Sequence, residues 1–279
     1  MKLAFVMLAF QSNYVLEPCL KSIAPYGKIY AAEGPVRFWQ EHGFTHSTDG
    51  TSELLDKYCE DVIHSEWEEK DGEANGALIL VPPDTDFIWC VDSDEIWKPD
   101  QIETVMRLLE TGFCDSLSFK PFSFYGGFER YMGGFEENNS DSKGWHRVMP
   151  YAPQFKTHRP PTTIEPKSHL SHHATADMGL RFFHYSYVFP TQIKDKTEYY
   201  AARGGTIDDY FTRVYLPWVT GTSEQQQAIE DEFDGVHDWE PQNRGECRTL
   251  EFLGKHPPDI AKVMPQLKER FELELAEYR

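Results

Sequence analysis

The sequence predicts an α/β protein whose mostly parallel sheet is flanked by helices, and two observations support this. Residues 3–10, 28–32 and 86–91 form short apolar runs, which are typical of strands covered on both faces of a sheet. Residues 16–23 carry apolar side chains at helical spacing between the first two runs. Strand, helix and strand in that order form a βαβ unit.

Helix caps, prolines and alternating patterns predict the remaining elements. The first half is expected to add helices within 47–59, within 75–81 and from Pro99 to Gly112, and strands at 61–64 and 115–125. The second half is expected to add a strand in 181–189, a helix beginning in 193–205 and a final helix carrying Leu267, Phe271 and Leu275.

The composition of the chain changes after residue 125. Residues 1–125 alternate between strands and helices, whereas residues 126–144 and 157–174 are rich in Gly, Pro and polar side chains. Such stretches are typical of functional loops. We therefore expect one domain made of two halves, 1–125 and 126–279.

Composition narrows the class of protein. Lys and Arg number 27 against 46 Asp and Glu, so the formal charge is −19 and duplex nucleic acid is a disfavoured partner. The five cysteines are odd in number and show no CxxC spacing, which favours reduced thiols in the cytoplasm. No apolar run approaches the roughly 18 residues that cross a bilayer, so no transmembrane segment is expected.

An acidic cluster follows the strand at 86–91. In WCVDSDEIWKPD (89–100), Asp92, Asp94 and Glu95 stand at the strand's carboxyl end, where open α/β sheets bind ligands. Bringing carboxylates together costs Coulomb energy unless a cation or a proton lies between them, and oxygen ligands suit Mg²⁺ or Mn²⁺. The alternative is a solvated turn whose acids favour the N-terminus of the next helix.

In combination, several motifs make the chain resemble the GT-A nucleotide-sugar glycosyltransferases, and within them family 2. The motifs are Asn13 followed by CLKSI, STDGTSELL (47–55), EANGAL (73–78), FIWCVDSDEIWKPD (87–100) and HYSYVFPTQIKDKTEYYAA (184–202). The last is similar to family members that build lipopolysaccharide cores. The usual DDGS is missing before STDGT, and Glu73 and Ala74 replace the Arg of the family's A-R-N segment.

The resemblance implies a GT-A fold in which residues 1–125 bind the nucleotide sugar and residues 126–279 form the acceptor side. It implies Mn²⁺ or Mg²⁺ held by Asp92, Asp94 and His184, with the ion stabilising the leaving diphosphate. A core histidine bonded to backbone is the alternative for His184.

The resemblance also implies a donor site. Phe10 is expected to stack on the base, with Glu33 and Asp49 near the base and ribose. Asn75, Ser93 and Lys194 complete the donor contacts, and Lys196 is a second candidate near the diphosphate. Asp49 is equally interpretable as a helix cap.

Inversion at the sugar requires a base, and Glu165 in TIEP (163–166) is the nearest equivalent of the family's V-H-E-P motif. Asp177 and Glu129 are rivals. His158 and Arg159 are candidates for the acceptor or a phosphate. The aromatic residues that could stack on a sugar are Tyr131, Trp145, Phe155 and Tyr187. A possible histidine cluster consists of His169, His172 and His173.

We therefore expect a metal-dependent, inverting glycosyltransferase that moves a sugar from a UDP- or GDP-sugar to a hydroxyl acceptor. One alternative is a phosphohydrolase with Asp92 as nucleophile, but that chemistry predicts Thr or Val where Ile96 stands. The other is a non-catalytic nucleotide-sugar-binding module, of which loss of the DxD motif would be the sign.

Overall fold

The computed structural model describes residues 1–134, 145–155 and 163–279. Its strands are β1 Leu3–Ala9, β2 Lys28–Glu33, β3 Asp61–His64, β4 Phe87–Cys90, β5 Glu95–Ile96, β6 Ser116–Tyr125, β7 Arg130–Met132, β8 Trp145–Pro150, β9 His169–Leu170, β10 Arg181–Tyr187 and β11 Thr249–Glu251. Its helices are α1 Leu16–Ile23, α2 Arg37–Glu41, α3 Thr51–Tyr58, α4 Lys70–Ile79, α5 Pro99–Glu110, α6 His172–Asp177, α7 Pro190–Ala201, α8 Leu216–Thr220, α9 Ser223–Glu232, α10 Pro241–Arg244 and α11 Pro258–Ala276, with a π-helix at Phe211–Tyr215.

The described residues divide into two compact units. The first contains those of Met1–Pro121, Lys143–Phe182 and Pro257–Ile260, and the second contains the rest. Residues 116–121 of β6 belong to the first unit and residues 122–125 to the second.

The sheet of the first unit confirms the predicted fold class. Strands β3, β2, β1 and β4 lie side by side in that order and run parallel. Strand β8 then pairs antiparallel with both β4 and β6. The carboxyl ends of β1, β2 and β4 therefore meet at one edge, where ligands bind in α/β sheets.

Apolar burial explains why the first unit folds this way. Strand β1 is buried along most of its length, and Val6, Tyr30 and Ile88 from neighbouring strands share one core cluster. Helix α4 packs Ala74, Ala77 and Leu78 against the same cluster. The helix predicted within 75–81 thus buries its apolar face against the sheet.

The predicted position of α4 was only partly right. The helix begins at Lys70, within the polar stretch that the apolar pattern alone leaves out. Asp71 lies exposed in its first turn, where a carboxylate interacts favourably with the helix dipole. Helices α2 and α6 and strand β8 were not predicted.

The second unit has an aromatic core. Strand β7 pairs antiparallel with residues 123–124 of β6 and with β11. Tyr125, Tyr187, Tyr210, Tyr215 and Trp218 are all buried in one cluster. The second unit therefore owes its packing mainly to aromatic side chains, each of which buries a large area.

Two further expectations concern the whole described chain. All five cysteines are described and are free thiols. In the part of the chain that the structure describes, no helix is both long and apolar enough to cross a bilayer.

Candidate active site

The acidic cluster forms a tight turn between β4 and β5. The Glu95 amide donates to the Asp92 carbonyl at 3.0 Å, which closes the turn. The Asp92 side chain is 43% exposed and that of Glu95 is 0% exposed. The turn thus presents Asp92 to solvent and buries Glu95.

Arg147 on β8 is the principal residue that sequence reasoning missed. Its Nε donates to both carboxylate oxygens of Glu95, at 3.1 and 3.2 Å, and one terminal nitrogen donates to Asp92 at 2.6 Å. Burial lowers the pKa of Arg147, but Asp92 and Glu95 outweigh it and leave that pKa raised. A cation of the chain itself therefore compensates two of the three acids.

Aromatic rings enclose the same guanidinium. Its central carbon lies 4.9 Å from the ring centre of Trp145 and 5.7 Å from that of Phe182. Such contacts favour a cation over a ring face. The expected role of Trp145 in sugar stacking is untested, but one established role is to hold Arg147.

The turn is tied to the loop that follows β1. Ser93 Oγ donates to Ser12 Oγ at 3.0 Å, and the Ser12 amide donates to Thr51 Oγ1 at 2.8 Å. The thiol of Cys19 contacts the Asp92 carbonyl at 3.6 Å. Three segments after β1, before α3 and after β4 therefore meet at one edge of the sheet.

Gln11 is the strained residue of this junction. Its φ is 48°, a left-handed conformation that costs about 1–3 kcal/mol for a residue other than Gly. Its amide donates to Ser47 Oγ at 3.0 Å, and its side-chain oxygen accepts from the Thr48 amide at 2.7 Å. These bonds hold the loop in a conformation that the residue alone disfavours.

Asp49 braces the same two loops. Its carboxylate accepts from the Asn13 amide at 2.8 Å and from the Thr51 amide at 3.1 Å. The Asn13 side chain returns a bond of 2.6 Å to the Asp49 carbonyl. Asp49 thus binds the first amide of α3, whose N-cap residue is Gly50, and its contact with ribose stays a prediction.

Glu33 lies at the end of β2 and is only 1% exposed. One carboxylate oxygen accepts from the Ser47 amide at 3.0 Å, and the other lies 3.0 Å from Nδ1 of His64. Nε2 of His64 in turn lies 2.9 Å from Asp56. Glu33 therefore braces the Ser47 loop and His64, and its contact with a nucleotide stays a prediction.

The Asn75 side chain also hydrogen-bonds to a neighbouring loop. Its side-chain oxygen accepts from the Phe155 amide at 2.8 Å, and its nitrogen donates to the Asp71 carbonyl at 2.9 Å. Phe155 itself is 3% exposed and packs in the core. The expectation that Phe155 stacks on a sugar was wrong, because its apolar ring is buried with the strands.

Phe10 lies at the end of β1 in a half-buried aromatic group. Its ring centre lies 5.5 Å from that of Phe44 and 5.9 Å from that of Trp39. Trp39 also contacts Phe38. The group offers flat apolar surface at the carboxyl edge of the sheet, as stacking on a base would need, and that role stays a prediction.

His184 lies within β10 and is 5% exposed. Its Nδ1 is 3.3 Å from the hydroxyls of Ser123 and Ser186. Over residues 1–134, 145–155 and 163–279, no group of three or more His, Cys, Asp and Glu is close enough to hold a metal ion. The expected metal role of Asp92, Asp94 and His184 stays a prediction.

The remaining candidates are dispersed. Glu165 and Lys194 are exposed, and Asp177 is exposed at the end of α6. Glu129 forms an ion pair with Lys268 at 2.5 Å. His158 and Arg159 lie outside the described residues.

Two further candidates lie in the second unit. Tyr187 is 4% exposed, packs in the aromatic core and has Lys196 over its ring at 4.2 Å. The expectation that Tyr187 stacks on a sugar was wrong, and Lys196 faces that ring. Tyr131 packs edge-on against Phe122 at 5.2 Å.

One protein-family model matches part of the chain. Residues 45–164 match the sequence model of glycosyl transferase family 2, so the resemblance inferred from the motifs is confirmed, and the chain is family 2-like through this segment. No curated protein sequence matches the chain.

Solved structures are more distant. The crystal structure of S. aureus TarS 1-349 is 13% identical, with all of this chain and 89% of that chain covered and a TM-score of 0.42. The same protein in complex with UDP-GlcNAc is also 13% identical, with the same coverage and a TM-score of 0.43. A 4-diphosphocytidyl-2C-methyl-D-erythritol synthase from Anaerococcus prevotii is 9% identical, with 96% and 98% covered and a TM-score of 0.31. Scores of this size assign neither fold nor function.

Proposed function

We propose that this protein is a metal-dependent glycosyltransferase that transfers a sugar from a UDP- or GDP-sugar to a hydroxyl acceptor with inversion. The observation that carries the proposal is the acidic turn after β4, hydrogen-bonded through Ser93 and Ser12 to the loop after β1. Such a turn at the carboxyl edge of a parallel sheet suits a nucleotide diphosphate with its cation. The family 2 match over 45–164 supports the same class.

The donors at the turn fit Mg²⁺ or Mn²⁺ bound together with substrate. Mg²⁺ is usually held by one or two carboxylates plus phosphate oxygens and water, rather than by a cage of protein ligands. Asp94, with Asp92 beside it, would supply those carboxylates. When bound, the ion would stabilise the negative charge of the departing diphosphate.

The chain's own residues orient that carboxylate pair. Arg147 fixes one oxygen of Asp92 at 2.6 Å, so the direction of the turn is set before substrate arrives. A fixed geometry raises the reaction rate, because small displacements of the reacting groups slow the reaction. The metal-ligand role of His184 stays a prediction; its Nδ1 lies 3.3 Å from the hydroxyls of Ser123 and Ser186.

Transfer requires a base. A bond forms between the acceptor oxygen and the anomeric carbon, the bond to the diphosphate oxygen breaks, and the acceptor proton passes to a carboxylate. We assign that role to Glu165, which is exposed and therefore accessible to an acceptor. Glu165→Gln is expected to bind donor normally and to lose transfer, and unchanged turnover would remove it as the base.

A phosphohydrolase is less well supported. Its Asp92 would have to act as a nucleophile while bonded to the buried guanidinium of Arg147, which stabilises the carboxylate and weakens its attack. The non-catalytic alternative keeps donor binding without transfer. Turnover assays with sugar nucleotides distinguish all three.

The test is donor binding with and without a divalent ion. Calorimetry with UDP- and GDP-sugars is expected to show binding in Mn²⁺ and at least tenfold weaker binding in EDTA. Asp94→Asn should abolish the difference between the two conditions. Asp84→Asn is the matched control, since Asp84 is an exposed aspartate paired with Lys2, and equal affinity in EDTA would refute metal dependence.

A further inference from the structure

His64 ends β3 and lies between two carboxylates of the first unit. Strand pairing places it beside Glu33, whose carboxylate is 3.0 Å from Nδ1, and Nε2 is 2.9 Å from the carboxylate of Asp56 in α3. An ionised carboxylate only accepts hydrogen bonds, whereas a neutral imidazole has a single N–H. The ring can therefore donate to both ionised carboxylates only as a cation with two protonated nitrogens.

Burial makes this cation important to Glu33. The Glu33 side chain is 1% exposed, whereas those of His64 and Asp56 are 39% and 62% exposed. A buried carboxylate is unfavourable unless it is paired and hydrogen-bonded. His64 pairs with Glu33 from a position that water still reaches, so the ring can exchange its proton with solvent.

Helix α4 adds the other charged groups near this pair. It packs against β2 and β3 and carries Glu73, whose pKa burial raises to about 8, with Lys70 opposing and Glu33 adding to the effect. At neutral pH the carboxyl of Glu73 is therefore mostly protonated and adds little charge. The acids that contact the His64 ring are Glu33 and Asp56, and they leave the pKa of His64 raised although burial lowers it.

Glu33 transmits this support to the segment before α3. Its other carboxylate oxygen accepts from the Ser47 amide at 3.0 Å, and Ser47 is 6% exposed. Ser47 Oγ accepts from the Gln11 amide at 3.0 Å, and the Thr48 amide donates to the Gln11 side chain at 2.7 Å. The buried carboxylate therefore anchors, through Ser47, the loop that follows β1.

Gln11 is the residue whose conformation depends on this support. Its φ of 48° is a strained conformation that persists only where the surroundings hold it. If Ser47 moves, the Gln11 amide loses its acceptor and the backbone is expected to relax to negative φ. The loop after β1 thus has two arrangements, and the observed one requires Ser47 in place.

The same loop supports the acidic turn. Ser12 follows Gln11, and its Oγ accepts at 3.0 Å from the Oγ of Ser93, which stands between Asp92 and Asp94. Relaxation at Gln11 would therefore shift the hydroxyl that holds Ser93. The proton on His64 thus influences the turn through a continuous series of hydrogen bonds that contains an element with two arrangements.

We propose that His64 is a positioning residue of the donor site, whose cationic form holds Glu33 and Ser47 in place and whose neutral form lowers the affinity for the nucleotide-sugar donor. The inference rests on the proposed function, because it takes the acidic turn as part of the donor site. His64 acts through Glu33 and does not itself touch the donor.

The direction of the pH effect follows from the number of protons on the ring. At pH values below the pKa that His64 has in the folded protein, the ring donates to both carboxylates. As the pH rises through that value, one proton leaves and the ring can donate to only one of Glu33 and Asp56. Because that pKa is raised above 6.5, donor affinity is expected to be highest near pH 6 and to fall as the pH rises to 8.5.

The test is donor affinity measured as a function of pH. Calorimetry with UDP- and GDP-sugars in Mg²⁺ should show a Kd that rises about fivefold from pH 6 to pH 8.5 in the wild type. His64→Gln should bind at both pH values as weakly as the wild type does at pH 8.5, whereas His64→Arg keeps a cation and should bind tightly at both. His173→Gln alters an exposed histidine of α6; it is the matched control and should follow the wild type.

NMR titration of the wild type gives a second measurement that does not depend on the folding of a variant. Because coupling is reciprocal, donor binding should raise the pKa of His64 by about 0.7 for a fivefold effect, and the pKa of His173 should not change. Donor affinity that is independent of pH or unchanged in His64→Gln would overturn this inference and leave the proposed function standing, as would a His64 pKa that the donor leaves unchanged. If the wild type binds no sugar nucleotide at any pH, the proposed function and this inference fail together.

Discussion

Arg147 donates through Nε to both carboxylate oxygens of Glu95, at 3.1 and 3.2 Å, with the two side chains 5% and 0% exposed. This buried pair fixes the turn that also carries Asp92 and Asp94. The negative charge at the end of β4 is thus partly a structural ion pair and partly an exposed site.

Removal of Arg147 should destabilise the protein strongly. Arg147→Met leaves Glu95 buried without a cation, for which a loss of about 3–5 kcal/mol in the free energy of unfolding is expected. Urea denaturation measures it. Adding Glu95→Gln should restore most of the loss, and Arg248→Met, which breaks an exposed pair with Asp231, should cost under about 1 kcal/mol. A loss that small for Arg147→Met would contradict the buried-pair assignment.

Glu73 should make the protein less stable in alkali. Burial raises its pKa to about 8, with Lys70 opposing and Glu33 adding to the effect. A raised carboxyl pKa means that folding favours the protonated form, so stability falls as pH rises from about 4.5 through 8. Above that range the loss is about 4–5 kcal/mol, and Glu73→Gln should remove it. Unfolding curves at pH 5 and pH 9 that differ equally in wild type and variant would count against this.

His64 should add a second pH dependence with the same sign. Burial lowers its pKa, but bonds with Glu33 and Asp56 outweigh this and leave it raised. The protonated ring stabilises the folded state fully at pH values below the pKa that His64 has in the unfolded chain, near 6.5. This stabilisation is lost as the pH rises through the pKa that His64 has in the folded protein. His64→Gln should flatten that part of the stability profile, and His42→Gln, which alters an exposed histidine, should not. NMR titration of His64 giving a pKa below 6.5 would refute it.

Gly76 in α4 is required by Trp67. A Cβ at Gly76 would lie 2.3 Å from the Trp67 ring, whereas one at Gly72 would lie 3.9 Å away. Gly76→Ala should therefore destabilise by about 1–3 kcal/mol, while Gly72→Ala should be neutral or stabilising because Ala favours helix. Thermal unfolding of the two variants compares them directly. Equal effects would mean that the ring moves aside.

Local patterns predicted much of the fold. The bounds of β1, α1, β3 and α5 follow the apolar spacing and the prolines closely, because those signals act within one element. The start of α4 was missed, since a polar first turn carries no apolar period. Strand β8 was missed in the same way, lying between Gly-rich and Pro-rich stretches.

The site was harder to predict than the fold. The acidic turn is visible in the sequence because its residues are adjacent, but Arg147 reaches it only through the pairing of β8 with β4. The predicted contact of Glu33 with the nucleotide stays a prediction, and the bonds of Glu33 to His64 and to the Ser47 amide were not predicted. Contacts between residues distant in sequence depend on register, which no local pattern encodes.

The internal pairing of Arg147 has a practical consequence. Metalloproteins whose ligands repel one another often collapse when the ion is stripped. Here the guanidinium already offsets the repulsion between Asp92 and Glu95, so protein purified in a chelator should remain folded and soluble. Titrating ions back into such a preparation would report coordination alone, free of any contribution from refolding.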